Sequence, residues 1–183
     1  MNKSFVKYLL IFFSVIIIFP KSCFSEINIS KINNNIYVLN LHGKRFFLNE
    51  ETSIKSGDYL STKEKPATII LQDNTKLCFS SNSSLKILKN KNIINFELAK
   101  GSILFSINKK SKYKYNLNFY YYNLDDIGDV IILSKKNILE IINFKKNMNI
   151  FYKDNINKIS LPSFTILELS NNGKVTKKKI IRN

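Results

Sequence analysis

The sequence predicts an all-β protein: a single domain of many short antiparallel strands, stacked as a sandwich or solenoid, behind an N-terminal signal helix. Three observations predict it. Past Glu26, apolar and polar residues alternate with the period of strands. Gly, Asn and Asp interrupt these runs at intervals of roughly 8–12 residues, the spacing of turns in all-β domains. No segment of the body carries a helical period bounded by caps.

The elements follow in order. Ile36-Tyr37-Val38-Leu39 opens the series, and Gly43 turns the chain into Lys44-Arg45-Phe46-Phe47-Leu48. Gly57-Asp58 precedes Tyr59-Leu60-Ser61-Thr62. Ala67–Leu71 and Thr75–Phe79 flank the turn pair Asp73-Asn74, a hairpin signal. Asn82 heads the alternating Ser84-Leu85-Lys86-Ile87. Asn95–Ala99 reaches a reversal at Lys100-Gly101 and returns as Ser102–Ile107. Tyr115–Phe119, Val130–Leu133, Asn137–Phe144, Met148–Tyr152, Ser163–Leu169 and Lys174–Ile181 continue the style. Gly43, Gly57 and Gly101 stand where the chain reverses, Asn74 is the residue type next most tolerant of left-handed backbone, and Asn82 is read as capping a turn through its own side chain. With no linker or low-complexity boundary, residues 26–183 are expected to form one domain.

Residues 1–25 have the layout of an export signal. Lys3 and Lys7 form a basic start, Tyr8–Phe19 is an uncharged apolar run, Pro20 breaks it, and Ser22-Cys23-Phe24-Ser25 supplies small residues for cleavage after Ser25. The run is short of the roughly 20 residues a spanning helix needs. The expected location is the periplasm or the medium; the alternative is anchorage in the inner membrane by an uncleaved N-terminus, the one membrane contact expected. Cleavage would remove Cys23 and leave Cys78 without an intramolecular partner.

The net charge is +16, falling to +13 once Lys3, Lys7 and Lys21 leave with the signal. The excess is almost all lysine. Arg45 and Arg182 are the only arginines, and arginine is the side chain suited to bidentate phosphate contacts. Nucleic acid is therefore not the expected partner. The lysine-rich tail around Lys177-Lys178-Lys179 reads as a solvated end.

Catalytic constellations are missing from the sequence. His42 is the only histidine, which excludes a histidine-based metal cluster. Cys78, between Leu77 and Phe79, is read as a small strand residue with an unreactive, buried thiol. Asp125, Asp126 and Asp129 lack the spacing of a calcium loop and read as an acidic loop. Phe119-Tyr120-Tyr121-Tyr122 would alternate in and out of a strand, which argues against one stacking surface. No enzyme activity and no cofactor are expected.

The series Gly57-Asp58-Tyr59-Leu60-Ser61-Thr62, Ala67–Leu77 with Asp73-Asn74, Asn82-Ser83-Ser84-Leu85 and Leu98-Ala99-Lys100-Gly101-Ser102-Ile103-Leu104-Phe105 resembles the FecR domain of bacterial envelope proteins. The likeness is best over residues 43–105 and weaker over 106–169. Where the family commonly has Gly-Thr-x-Phe, this chain has Gly128-Asp129-Val130-Ile131. The resemblance implies a non-enzymatic binding module, linked to envelope signalling, whose partner is an envelope protein or a wall polymer. The fold-defining turns it marks are Gly43, Gly57, Asp58, Asp73, Asn74, Asn82 and Gly101. The family's best-known members carry a cytoplasmic sigma-regulating region. Only Met1–Lys7 precedes the apolar run here, so that role is not expected. The alternative reading is a secreted basic β protein that holds anionic polymer, lipid headgroups or nucleic acid by charge.

Overall fold

The computed structural model describes residues 26–119, 122–135, 138–145, 147–152, 157–170 and 174–180. The signal segment, Tyr120, Tyr121 and the turn at Asn171-Asn172-Gly173 lie outside the described residues.

The described residues form strands and turns, with no helix among them. In chain order the strands are β1 (Glu26–Ile27), β2 (Ile29–Asn33), β3 (Tyr37–Leu39), β4 (Arg45–Phe47), β5 (Ile54–Lys55), β6 (Tyr59–Ser61), β7 (Ala67–Leu71), β8 (Lys76–Phe79), β9 (Ser84–Asn90) and β10 (Ile93–Lys100). They continue as β11 (Ser102–Ser106), β12 (Lys114–Phe119), β13 (Tyr122–Asp125), β14 (Val130–Lys135), β15 (Ile138–Asn143), β16 (Met148–Tyr152), β17 (Asn157–Leu161), β18 (Thr165–Ser170) and β19 (Val175–Ile180).

Two large sheets hold nearly all of them. A nine-stranded sheet runs β17-β16-β13-β12-β10-β9-β6-β3-β4, and an eight-stranded sheet runs β19-β18-β15-β14-β11-β8-β7-β2. A small β1-β5 pair completes the set. The chain lays strands alternately on the two sheets, mostly as hairpins, and both sheets grow sideways as it does so. Among the described strands pairing is antiparallel with one exception: β10 and β12 run parallel. The reason is in the connection. The chain reverses at Gly101 to place β11 in the other sheet and reverses again to return, so two reversals restore the original direction.

Alternation drives the packing. β7, β12 and β18 each bury every second residue, and the inward sets of both sheets meet in one hydrophobic core. Phe96 of β10 and Phe105 of β11 touch across the sheets, with ring centroids 5.1 Å apart. Tyr115 stacks on Phe96 at 5.7 Å. Further along, the Tyr122 hydroxyl donates to the Ser170 carbonyl of the opposite sheet at 2.6 Å. Phe119 and Tyr122 of the aromatic run both point inward and are buried.

The turns have defined geometry. In the β3–β4 loop the Asn40 N–H donates to the Lys44 carbonyl and the Gly43 N–H to the Asn40 carbonyl; in the β7–β8 loop Leu71 bonds Thr75 and Asn74 bonds Leu71 in the same pattern. Gly43 and Asn74 take the left-handed position of each, at φ +74° and +65°. This is a three-residue hairpin loop closed by a left-handed residue. At β5–β6 the Asp58 N–H donates to the Lys55 carbonyl at 3.1 Å, with Gly57 at φ +100°.

Candidate functional site

The turn residues divide into two polar clusters, both internal to the fold. The first joins Thr62, Ser80, Ser83 and Ser102. The Ser83 N–H donates to Thr62 Oγ1 at 3.1 Å, and Thr62 Oγ1 donates to the Ser80 carbonyl at 2.6 Å. Ser83 Oγ lies 2.7 Å from Ser80 Oγ, accepts from the Ser102 N–H at 3.0 Å and donates to the Ser102 carbonyl at 3.1 Å. Gly101, at φ +83°, passes directly over Ser83. Asn82 is left-handed at φ +54°, and its N–H donates to the Lys63 carbonyl at 2.7 Å. Its backbone, rather than the side-chain cap expected from sequence, ties this turn.

The second cluster centres on Asp73. Its carboxylate accepts from the Thr75 N–H at 3.0 Å, from Thr75 Oγ1 at 3.1 Å, from the Tyr115 hydroxyl at 2.6 Å and from Ser111 Oγ. The β7–β8 turn is thereby bolted to the β11–β12 crossover. Burial alone would push the Asp73 carboxyl up, but the bonds from Ser111, Tyr115 and Thr75 outweigh it and hold the group below its ordinary value. Burial, reinforced by the Asp73 carboxylate, keeps the Tyr115 phenol protonated far above its usual range. Asp58 has the opposite balance. Burial raises its carboxyl, although the Lys55 N–H donates to it at 2.8 Å.

His42, Cys78 and Asp129 stand in different parts of the fold. His42 is exposed in the β3–β4 loop, at one edge of the nine-stranded sheet. Cys78 belongs to the other sheet, in β8. Asp129 leaves the acidic group to serve structure: its Oδ1 accepts the Ile107 N–H at 3.0 Å, and its other oxygen pairs with Lys145.

Cys78 corrects the reading of a buried thiol. Leu77 and Phe79 do point into the core, and that parity turns Cys78 to the outer face, where it is a half-buried free thiol. It stands in a cross-strand row with Leu104, Ile131, Ile142 and Ile166. Cys78 is therefore expected to react with a thiol reagent in native buffer, measured as stoichiometric labelling without denaturant. Labelling that appears only after unfolding would contradict this placement.

A concave surface that combines exposed aromatic rings with cations lies on the outer face of β3, β4, β6 and β9. It is a groove of about 510 Å³. Strand register builds it as two rows. Phe47, Tyr37, Ser61 and Ser84 are successive cross-strand neighbours, as are Arg45, Leu39, Tyr59 and Lys86. The Tyr37 and Phe47 rings are 4.6 Å apart. Lys63 Nζ lies 4.7 Å from the Tyr37 ring centre, and Lys86 Nζ lies 5.6 Å from that of Tyr59. Phe47 is 53% exposed and Tyr59 39%. Lys86 is also paired with Glu97 at 3.3 Å. Among the described residues, no carboxylate lines the groove. Beyond it the same face turns polar, with Asn95 and Asn116 bonded side chain to side chain at 3.0 Å. Solvated aromatic rings beside cations recognise groups that are apolar at one end and anionic at the other.

No family model matches the chain, and no curated protein matches it. Its fold is shared with two crystal structures of a "putative anti-sigma factor" from Parabacteroides distasonis, with TM-scores of 0.56 and 0.57 at 12% sequence identity. The likeness covers 67% of this chain and 59% of each of those chains. This chain thus spans less than two thirds of their length, and at that identity the likeness is one of fold.

Proposed function

We propose that this protein is a non-enzymatic, FecR-like binding module of the bacterial envelope. It is exported by its N-terminal segment and holds a partner protein in the groove of β3, β4, β6 and β9. The observation that carries the reading is the groove itself: exposed rings of Phe47 and Tyr59, cations at Arg45 and Lys63, and no carboxylate among the described residues that line it. The fold shared with anti-sigma-factor structures supports a role in envelope signalling. Monomeric proteins seldom leave aromatic side chains grouped in solvent unless something covers them.

A photoreactive amino acid in place of Phe47, in the cell that makes the protein, is expected to yield a discrete protein adduct in the envelope fraction. The same probe at Ile138, exposed far along the eight-stranded sheet, is expected to yield none. A polydisperse adduct would favour a wall polymer. Capture of heterogeneous polyanions that dissolves with salt would favour the charge-driven alternative.

A further inference from the structure

We infer that the groove takes its partner as an added β-strand: an extended segment lying antiparallel or parallel to β4, with an acidic and an apolar side chain two residues apart. This rests on the groove being the partner-binding face, and it specifies what that face reads.

The backbone carries the first half of the argument. Among the described residues, β4 ends the nine-stranded order and pairs with β3 alone. Leu48 bonds Ile36, and Asn40 bonds Lys44. Bonded pairs alternate along an antiparallel ladder, so Val38 and Phe46 form the bonded pair between them. The N–H and C=O groups of Arg45 and Phe47 therefore point away from β3. Such an edge is a template for another strand.

The side chains carry the second half. Arg45 and Phe47 sit on the outer face, two residues apart on this edge. A strand laid along β4 would set one outward residue beside Phe47 and the next outward residue beside Arg45. The first is matched by an apolar side chain that reaches over the Tyr37–Phe47 pair. The second is matched by a carboxylate, and no carboxylate among the described residues lines the groove to compete for it. Lys63, over the Tyr37 ring, adds a second cation at the far end. The competing account is that Arg45 only guards the edge against self-association, a role charged residues serve on many edge strands.

The test uses titration of the full chain, followed by calorimetry, with a short threonine-rich peptide carrying Glu and Leu at i and i+2. A second peptide has the same composition with Glu and Leu adjacent. A third is the first peptide N-methylated on the amides that would face β4. The i, i+2 peptide is expected to bind, and either control is expected to bind at least tenfold more weakly. Phe47→Ser should weaken binding by a similar factor, and its exposed position leaves folding intact. Arg45→Glu should abolish binding of the glutamate peptide and restore it for the same peptide with Lys in place of Glu. Equal binding of the N-methylated peptide would overturn strand addition, and equal binding of poly-glutamate would overturn the apolar half. No binding by any peptide would leave Arg45 as an edge guard and overturn the inference. If Phe47 nevertheless cross-links to an envelope protein, the groove reading survives that failure. If it does not, both fall.

Discussion

Gly101→Ala is expected to destabilise the protein by about 3–5 kcal/mol, lowering the melting temperature by roughly 10 °C or more. Two costs combine. At φ +83° any side chain is strained. A Cβ there would also lie 2.3 Å from Ser83 Oγ and 2.6 Å from Ser83 Cα, and the second atom is backbone held in place by Thr62 and Ser102. Gly43→Ala separates the two costs. Gly43 has nearly the same φ, +74°, but nothing within 4 Å of its Cβ position, so its replacement should cost only about 1 kcal/mol of backbone strain. Thermal denaturation of both variants is the measurement. Equal losses at the two glycines would show that the Ser83 contact does not constrain the fold.

Asp73→Ala is expected to cost about 3 kcal/mol. The carboxylate receives Thr75, Ser111 and the Tyr115 hydroxyl, and Tyr115 is almost completely buried. Truncation leaves that hydroxyl without its acceptor, and an orphaned buried donor costs more than the bond was worth. The charge adds a pH dependence. The folded-state carboxyl sits below its unfolded value, so it contributes stability that is complete above the unfolded value. That contribution is lost as the pH falls from about 4 through the folded value. Asp58, whose carboxyl is raised, has the opposite sign: the penalty for its charge is relieved as the pH falls through its folded value. Comparing the wild type with Asp73→Asn from pH 7 to acid cancels the Asp58 part, and the variant should show the shallower acid loss. Parallel acid profiles would show that the Asp73 charge is not coupled to folding.

The strands with a clear inward stripe, such as β9, β12 and β18, were legible from alternation, and β7 as a short apolar run. β2 and β17 were not, because Ile-Ser-Lys-Ile-Asn and Asn-Lys-Ile-Ser-Leu are largely polar. Both lie at sheet edges, where one long side meets solvent and few residues are buried. Alternation was also the signal that should have turned Cys78 outward, since its apolar neighbours fix its side. The internal clusters escaped because hydroxyls at Thr62, Ser83 and Ser111 carry no pattern of their own. The groove escaped for a different reason. Tyr37, Arg45, Phe47, Tyr59 and Lys63 come from separate segments and meet only through register. One part was within reach: a three-residue loop closing at Gly43 sets Tyr37 opposite Phe47.

The sideways growth of both sheets sets how distant parts of the molecule communicate. After β6, each new strand is added outside those already laid down, and none is later inserted between earlier neighbours. Each later strand therefore pairs with the strands beside it in the row, and the domain behaves as a row of rungs coupled to their nearest neighbours. A chain emerging N-terminus first can complete each rung before the next arrives. Disturbance at the β17 and β19 end is damped through several interfaces before it reaches β3 and β4. Fraying at one extremity and recognition at the other can then be tuned by substitution almost independently.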